Sequence, residues 1–266
     1  MYKRQEQDRV QAAEVIGNVQ KSFGDSSLLD MKLVVDSLTG ASASGAVAQD
    51  SSQTFTRPSG NGEYTVTPGE TPLDDTFHDT RVQLSANWME VLNPDWTLNV
   101  GLNGSTEFDY LSLGLNAGIE RSFNKNNTIV ALSGALTQDS IDAVGGRPVA
   151  LSEMALRAKY DTEAAFQAAF DDTRQAGTDD KQTIDLMLGV TQNINRYWLM
   201  QANYGISNVS GYMTDPYKVL SQVDNSGTTQ TYLYENRPED RLKHSAFVMA
   251  KGALDSGVVD FSYRYS

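Results

Sequence analysis

The stretch Arg81-Val82-Gln83-Leu84-Ser85-Ala86-Asn87-Trp88 decides the fold, together with Trp96-Thr97-Leu98-Asn99-Val100-Gly101-Leu102-Asn103, which follows it after Asn93-Pro94-Asp95. Val82, Leu84, Ala86 and Trp88 alternate with Arg81, Gln83, Ser85 and Asn87, and the second run repeats the rhythm. A period of two gives one apolar and one polar face. The pattern restarts with Leu113, Leu115, Ala117 and Ile119 against Ser112, Gly114, Asn116 and Glu120. After Asn124-Lys125-Asn126-Asn127 it resumes as Val130, Leu132 and Leu136. Four alternating runs joined by tight turns read as an antiparallel meander. Its apolar face must meet either the core of a soluble sandwich or lipid.

Working outward, about ten strands are predicted. Two precede the meander, at 9–23 and 28–39, and four follow it, with Ile184, Leu186, Leu188 and Val190, then Trp198, Met200, Ala202 and Tyr204, as their clearest alternations. Three polar stretches, 40–76, 139–181 and 211–242, read as long loops. The spacing of Met154, Ala158, Ala165, Ala169 and Phe170 predicts one short helix within 152–172. The whole chain, 1–266, reads as one β-barrel domain.

Composition narrows the function. Cysteine is absent, which removes disulfides, thiolate metal sites and cysteine nucleophiles together. Two histidines, His78 and His244, leave little for a histidine-based triad or metal centre. A net charge of −13 argues against nucleic acid as a partner. No run of about 18 apolar residues is present, but a transmembrane barrel hides its apolar residues at every second position. Met1-Tyr2-Lys3-Arg4-Gln5 reads as non-native and lacks the apolar core of a signal peptide. At the other end, Phe261 to Ser266 stops in mid-alternation, so the chain reads as a fragment with its signal peptide missing.

Connection length chooses between core and lipid. The turns after strands one, three, five, seven and nine are short, whereas the links after two, six and eight are long; only the fourth, at Phe108-Asp109-Tyr110, breaks the rule. Short turns at one rim and long loops at the other are the signature of an up-and-down outer-membrane barrel. A Greek-key sandwich has no reason to sort loops by parity. Trp88, Trp96, Phe123 and Trp198 stand beside short turns and suit an aromatic girdle at the headgroup level. Phe108, Tyr110 and Tyr212 would belong to the opposite girdle. Asp30, Lys32, Asp36, Arg81, Gln83, Asn87, Asn99, Asn103, Glu107, Glu120 and Asp185 fall opposite the apolar face. Charges there would be costly in a dry barrel but are at home in a wet lumen.

No catalytic motif stands out. Asp74, Asp75, His78 and Asp79 form the densest candidate for a divalent cation, but supply too few oxygens at fixed spacing for an ordered cage, so no metal is expected. Arg237, Arg241, Lys243 and His244 form a basic loop cluster that would either line an anion constriction or pair with Glu239 and Asp240. No enzymatic activity and no cofactor are expected. An embedded hydrolase would need His244 beside Ser245 or Ser210.

Several strings carry a resemblance. Val35-Asp36-Ser37-Leu38-Thr39-Gly40-Ala41-Ser42, Gln53-Thr54-Phe55-Thr56-Arg57-Pro58-Ser59-Gly60, Gly69-Glu70-Thr71-Pro72-Leu73-Asp74-Asp75-Thr76-Phe77-His78-Asp79-Thr80-Arg81, Asp215-Pro216-Tyr217-Lys218-Val219-Leu220-Ser221 and Tyr232-Leu233-Tyr234-Glu235-Asn236-Arg237-Pro238 resemble the DUF3570 family of uncharacterised bacterial proteins. The resemblance implies a Gram-negative outer-membrane β-barrel longer at both ends, and no settled biochemical role. The expectation is a porin-like channel or transport barrel with a polar lumen. Its partners would be the lipid bilayer and a small solute or protein of unknown identity. Alternatives are a barrel that scaffolds a surface or periplasmic partner and, lower, a soluble β-rich module.

Overall fold

The alternating runs become long strands in the computed structural model, which describes residues 2–6, 10–43 and 45–266, with side chains described for 11–39, 45–73 and 78–266. In chain order the elements are β1 (Tyr2–Glu6), β2 (Val10–Phe23), β3 (Ser27–Ala43), β4 (Gln53–Thr56), β5 (Glu63–Val66), β6 (Leu73–Asn93), β7 (Trp96–Thr106), β8 (Tyr110–Phe123) and β9 (Thr128–Ile141). Then come β10 (Arg147–Pro148), a 3-10 turn (Arg157–Lys159), α1 (Glu163–Asp172), β11 (Arg174–Gln175), β12 (Asp179–Asn193) and β13 (Trp198–Gly211). The chain ends with β14 (Val219–Val223), β15 (Thr229–Tyr234), β16 (Asp240–Leu254) and β17 (Gly257–Tyr265).

Eleven of these strands form one antiparallel sheet in the order β1-β2-β3-β6-β7-β8-β9-β12-β13-β16-β17, so every wall strand pairs with its neighbour in sequence. The meander is as expected, with one strand more: Tyr2–Glu6, set aside on sequence as largely non-native, pairs with β2. β1 and β17 are the two edges of the sheet.

One row measures the slope of the strands. Trp96 at the start of β7 is in register, through Arg121, Val130 and Val190, with Ala202, four residues above the start of β13. The stagger is therefore one residue per strand over four steps. With a rise of ~3.3 Å and a strand spacing of ~4.8 Å, that is a slope of roughly 35°, within the range of barrel strands.

Burial runs opposite to hydropathy on this wall. Along β8, Leu111, Leu113 and Leu115 are exposed while Ser112, Gly114 and Asn116 are half-sheltered. In β13, Trp198, Met200, Tyr204 and Ile206 are exposed, and Gln201, Asn203 and Gly205 are sheltered between them. A curled sheet shelters its inner face, so the polar side is inside. The room there is partly made by glycine. A Cβ on Gly101 would lie 2.1 Å from Asn87 Oδ1 and 2.7 Å from Asn116 Nδ2, so the two amides close over a position that only hydrogen can fill.

The three polar stretches are shorter and more ordered than loops. β3 runs to Ala43, β6 starts at Leu73, β9 reaches Ile141, and β12 and β16 start at Asp179 and Asp240, so both ends of each stretch belong to the wall. Between them lie the hairpins β4–β5 and β14–β15, the small pair β10–β11, and α1. The helix is shorter than the residue spacing predicts. Thr162 caps it by accepting the Ala165 N–H at 3.2 Å, and its buried face is Phe166 and Phe170. Met154, expected on the helix, lies upstream and packs elsewhere.

The hydrophobic clusters sit in these insertions. Ala46, Phe55, Val66, Met154, Val219 and Tyr234 form one, and Ala155, Phe166 and Phe170 another. Phe55 has no exposed surface and stands between Tyr64 and Tyr232, its ring centroid 5.2 and 4.6 Å from theirs. The 152–156 segment ties the hairpins together: Met154 N–H donates to Tyr232 O at 2.8 Å, and Thr56 Oγ1 donates to Ala155 O at 2.5 Å. Gly60, at φ 74°, lets Phe170 pack where a Cβ would lie 2.7 Å from the ring. Each fully buried large side chain contributes about 1.5–3 kcal/mol, enough for the insertions to form a folded cap on one rim of the wall.

Candidate functional site

Between the cap and the inner face of the wall is a cavity of about 510 Å³. The wall supplies His78 and Asp79 from β6, the Glu107-Phe108-Asp109 turn, Tyr110 from β8 and Lys181 from β12. The cap supplies Arg57, Tyr64, Arg174, Tyr212, Asp215, Tyr217 and Tyr234.

Polar clamps fasten cap to wall around it. Tyr217 donates its hydroxyl to Asp109 and accepts the Val144 N–H at 3.0 Å. Arg147 pairs with Asp179. Within the wall beside them, Lys181 of β12 pairs with Asp139 of β9 at 3.0 Å and donates to the Tyr110 hydroxyl of β8 at 2.7 Å. Inside the cap, Arg174 donates to the Tyr234 hydroxyl at 2.8 Å and to Gly146 O at 3.3 Å, with its guanidinium 4.3 Å from the Tyr234 ring centroid and 4.8 Å from that of Phe170. Glu235 holds Arg237 at 2.9 Å and Lys218 at 3.6 Å.

Burial governs the electrostatics. It lowers the Arg174 guanidinium from its ordinary value, against the pull of the Tyr234, Tyr212 and Tyr217 hydroxyls. It pushes the Tyr212 hydroxyl up to about 12, and raises Tyr217 with help from the Asp109 carboxylate, so both are hydrogen-bond donors at neutral pH. Glu107 is raised to about 7 by burial, by a hydrogen bond to Asp79 and by the charges of Asp79 and Asp109, with Arg81 opposing. Asp79 Oδ1 is buried and, among the described residues, has no hydrogen-bond partner. The lining offers paired charges and tyrosine donors.

The structure distributes the sequence-selected residues as follows. Asp30, Asn87 and Asp185 lie in one register row with Gly101, Asn116 and Ala135. Lys32 and Asn103 share the next with Ser85, while Asp36 pairs with Arg81 at 2.9 Å. Gln83, Asn99 and Glu120 are on this same polar face by register, and Glu107 lines the cavity. Trp88, Trp96, Phe123 and Trp198 stand on the apolar face near the short turns. Arg121 lies over Trp96 and Phe123, its guanidinium 5.0 and 4.6 Å from their centroids.

Other assignments change. Phe108, Tyr110 and Tyr212, expected in an aromatic girdle, line the cavity, because the 107–109 turn and the start of β8 lie under the cap and Tyr212 follows β13 into it. The basic cluster is divided. Arg237 is in the cap, but Arg241, Lys243 and His244 are on β16, where alternation sends Arg241 and Lys243 to the polar face and His244 to the apolar one, 2.8 Å from the Tyr204 hydroxyl. The same alternation places Ser245 on the face opposite His244, and Ser210 is in register with Asp240, four residues from His244. The side chains of Asp74 and Asp75 lie outside the described residues. His78 and Asp79 line the cavity, and among the described residues no group of three or more histidine, cysteine or carboxylate side chains is placed to hold a metal.

Arg174, Tyr217 and Asp109 escaped sequence reasoning. A signal for their hairpins was present: Pro58-Ser59-Gly60-Asn61-Gly62 and Asp224-Asn225-Ser226-Gly227 are turn sequences flanked by short alternating runs. Asp224 accepts the N–H groups of Ser226 and Thr228 at 2.8 and 3.0 Å, and Gly227 has φ 84°.

The profile of a family described as "Protein of unknown function (DUF3570)" matches residues 1–266. None of the curated proteins matches the chain in sequence. Among solved structures the chain is similar to the NanC porin, at 10% identity and TM-score 0.38 over 98% of this chain and 83% of that one. It is similar to the FrpB iron transporter from Neisseria meningitidis, at 10% identity and TM-score 0.46 over 96% of this chain and 35% of that one. It is also similar to the ferric-catecholate import receptor Fiu from Escherichia coli K12, at 9% identity and TM-score 0.42 over 98% of this chain and 48% of that one. The chain thus spans about a third to a half of the length of the two iron-import proteins.

Proposed function

The chain belongs to the DUF3570 family, and from its own residues we propose that it is a sector of a bacterial outer-membrane β-barrel that serves as a channel or transport barrel. The supporting observation is the inversion of burial on the wall: Leu102, Leu113 and Leu186 are 61, 57 and 56% exposed, while the polar residues between them are sheltered. In water such a face would be an aggregation surface. In lipid each such side chain is stabilised by about 25 cal/mol per Å² of apolar area removed from water. The slope of the strands and the aromatic residues near the short turns agree with that setting.

In this reading the short turns face the periplasm and the cap roofs the outer mouth. The polar face is the lumen, and the cavity beneath the cap is its vestibule. No step of chemistry is assigned to it; the barrel binds and passes a solute. Reconstitution of the complete protein in planar bilayers tests this, with discrete conductance steps expected. A folded, inserted barrel that stays silent overturns the channel version. That outcome would favour a scaffold whose self-cored cap engages a partner, to be sought as a stoichiometric complex.

A further inference from the structure

The lysines and arginines of the wall are sorted by face. Among the described side chains of the eleven-stranded sheet, only Lys21 on β2 and Arg121 on β8 are on the apolar face; the others are on the polar one. Both are exposed and stand two residues before the end of their strand, at the short-turn rim, in the same local sequence: Lys21-Ser22-Phe23 and Arg121-Ser122-Phe123. Residues two apart on a strand share a face, so each cation reaches its phenylalanine. Lys21 Nζ is 4.9 Å from the Phe23 centroid, and the Arg121 guanidinium carbon is 4.6 Å from that of Phe123. A tryptophan joins each pair, Trp88 at 5.3 Å from Phe23 and Trp96 at 5.0 Å from Arg121. Among the described residues neither cation has an ion pair or a side-chain hydrogen bond. Glu90, an acid of the apolar face at this end, accepts the Trp88 indole N–H at 3.0 Å, and Asp25 and Asp95 are in the turns. Arg196 is also in a turn, over its neighbour Tyr197.

We propose that Lys21 and Arg121 bind the headgroup phosphates of anionic glycerophospholipids in the leaflet at the short-turn rim, with the acyl chains lying along the apolar face beyond them. A guanidinium stacked on aromatic faces keeps its in-plane N–H donors free, and their fork matches two phosphate oxygens at once. Lys21 offers a point charge whose stem lies along apolar surface while its head stays at the headgroup level. The rings hold both cations in place before a lipid arrives, which lowers the entropy lost on binding. Val19 and Ile119, two residues further along the same strands and face, continue each site as apolar surface. A zwitterionic headgroup would bring its own ammonium group against the same cations, so the anionic one is favoured. β2 and β8 are four strand steps apart, roughly 19 Å along the sheet, so each cation takes its own lipid. The inference rests on the lipid-facing reading of the apolar face and names the lipid that this rim selects.

The test is bromine quenching of tryptophan emission in the full-length protein carrying Trp198→Phe, so that the signal comes from Trp88 and Trp96 beside the two sites. The protein is reconstituted in bilayers that mix phosphatidylcholine with phosphatidylglycerol, with brominated chains on one lipid or the other. The two quenching curves give the relative affinity. At low salt phosphatidylglycerol should be preferred by about fivefold. Lys21→Gln with Arg121→Gln should bring the preference below about twofold, whereas Arg121→Lys should retain most of it. Lys243→Gln, on the polar face, should leave it unchanged. Strong quenching by both lipids with equal affinity would overturn the proposal and leave the wall in lipid. A preference that survives the double substitution would overturn it too, and quenching by neither lipid would overturn both this proposal and the lipid-facing wall.

Discussion

Replacement of Leu102 by arginine should separate a lipid-facing wall from a water-facing one. Leu102 is on the apolar face of β7, 61% exposed, six residues above Trp96. At a slope near 35° each residue climbs roughly 2.7 Å, which places Leu102 about 16 Å above the lower aromatic level, near the middle of an apolar band of about 25 Å. An arginine at that depth costs about 2–4 kcal/mol. On a surface open to water the same change is expected to stay within about 0.5 kcal/mol. The first figure is a loss of about 25- to 700-fold in the folding equilibrium. Asn103→Arg is the internal control, because Asn103 is on the polar face, its amide lying over Gly114, which stands opposite it in register. Equilibrium urea unfolding in phospholipid vesicles, followed by emission of Trp88, Trp96 and Trp198, measures both. A variant Leu102→Arg no less stable than Asn103→Arg would refute the assignment of the apolar face to lipid.

Two further predictions concern the cap. Arg174→Met removes the hydrogen bonds to Tyr234 and Gly146 and the stacking on Phe170, and should lower the opening free energy of the cap by about 1–3 kcal/mol. Amide exchange should then accelerate across 142–178 and 219–234 and stay unchanged in the middle of β8 and β9; uniform acceleration would contradict a separately cored cap. Glu107 has a folded-state pKa of about 7, above its unfolded value of about 4.3. Its contribution is therefore complete below about pH 4.3 and is lost as the pH rises through about 7. Exchange protection of the cap should decline over that window in the native protein, and Glu107→Gln should flatten the profile. A slope that survives the substitution would place the titration on another group.

The wall was legible because strand alternation is a local property. Side chains of Leu111, Leu113 and Leu115 point one way and Ser112, Gly114 and Asn116 the other whatever the rest of the chain does. The same locality carried loop parity, the positions of Trp88, Trp96 and Trp198, and the common face of Asp30, Asn87 and Asp185. Locality also explains the errors. His244 and Lys243 are adjacent in sequence and were grouped as a basic cluster, yet once β16 extends to Asp240 they stand on opposite faces. Phe55, Met154 and Phe170 are isolated apolar residues in polar surroundings, and no periodicity within any one insertion announces that they pack together.

The amino-acid order by itself determined an antiparallel meander with one apolar and one polar face and with long and short connections sorted to opposite ends, because each of these follows from a period of two and from turn chemistry within a few residues. The tertiary structure alone decided that 45–72, 142–178 and 212–239 fold into one cap, and that Asp79, Glu107, Arg174 and Tyr217 surround one cavity. Those residues are brought together by contacts between segments about a hundred residues apart, such as Thr56 with Ala155 and Tyr217 with Asp109. A contact of that kind exists only after the wall has set the distance between the loops, and no local pattern encodes that distance.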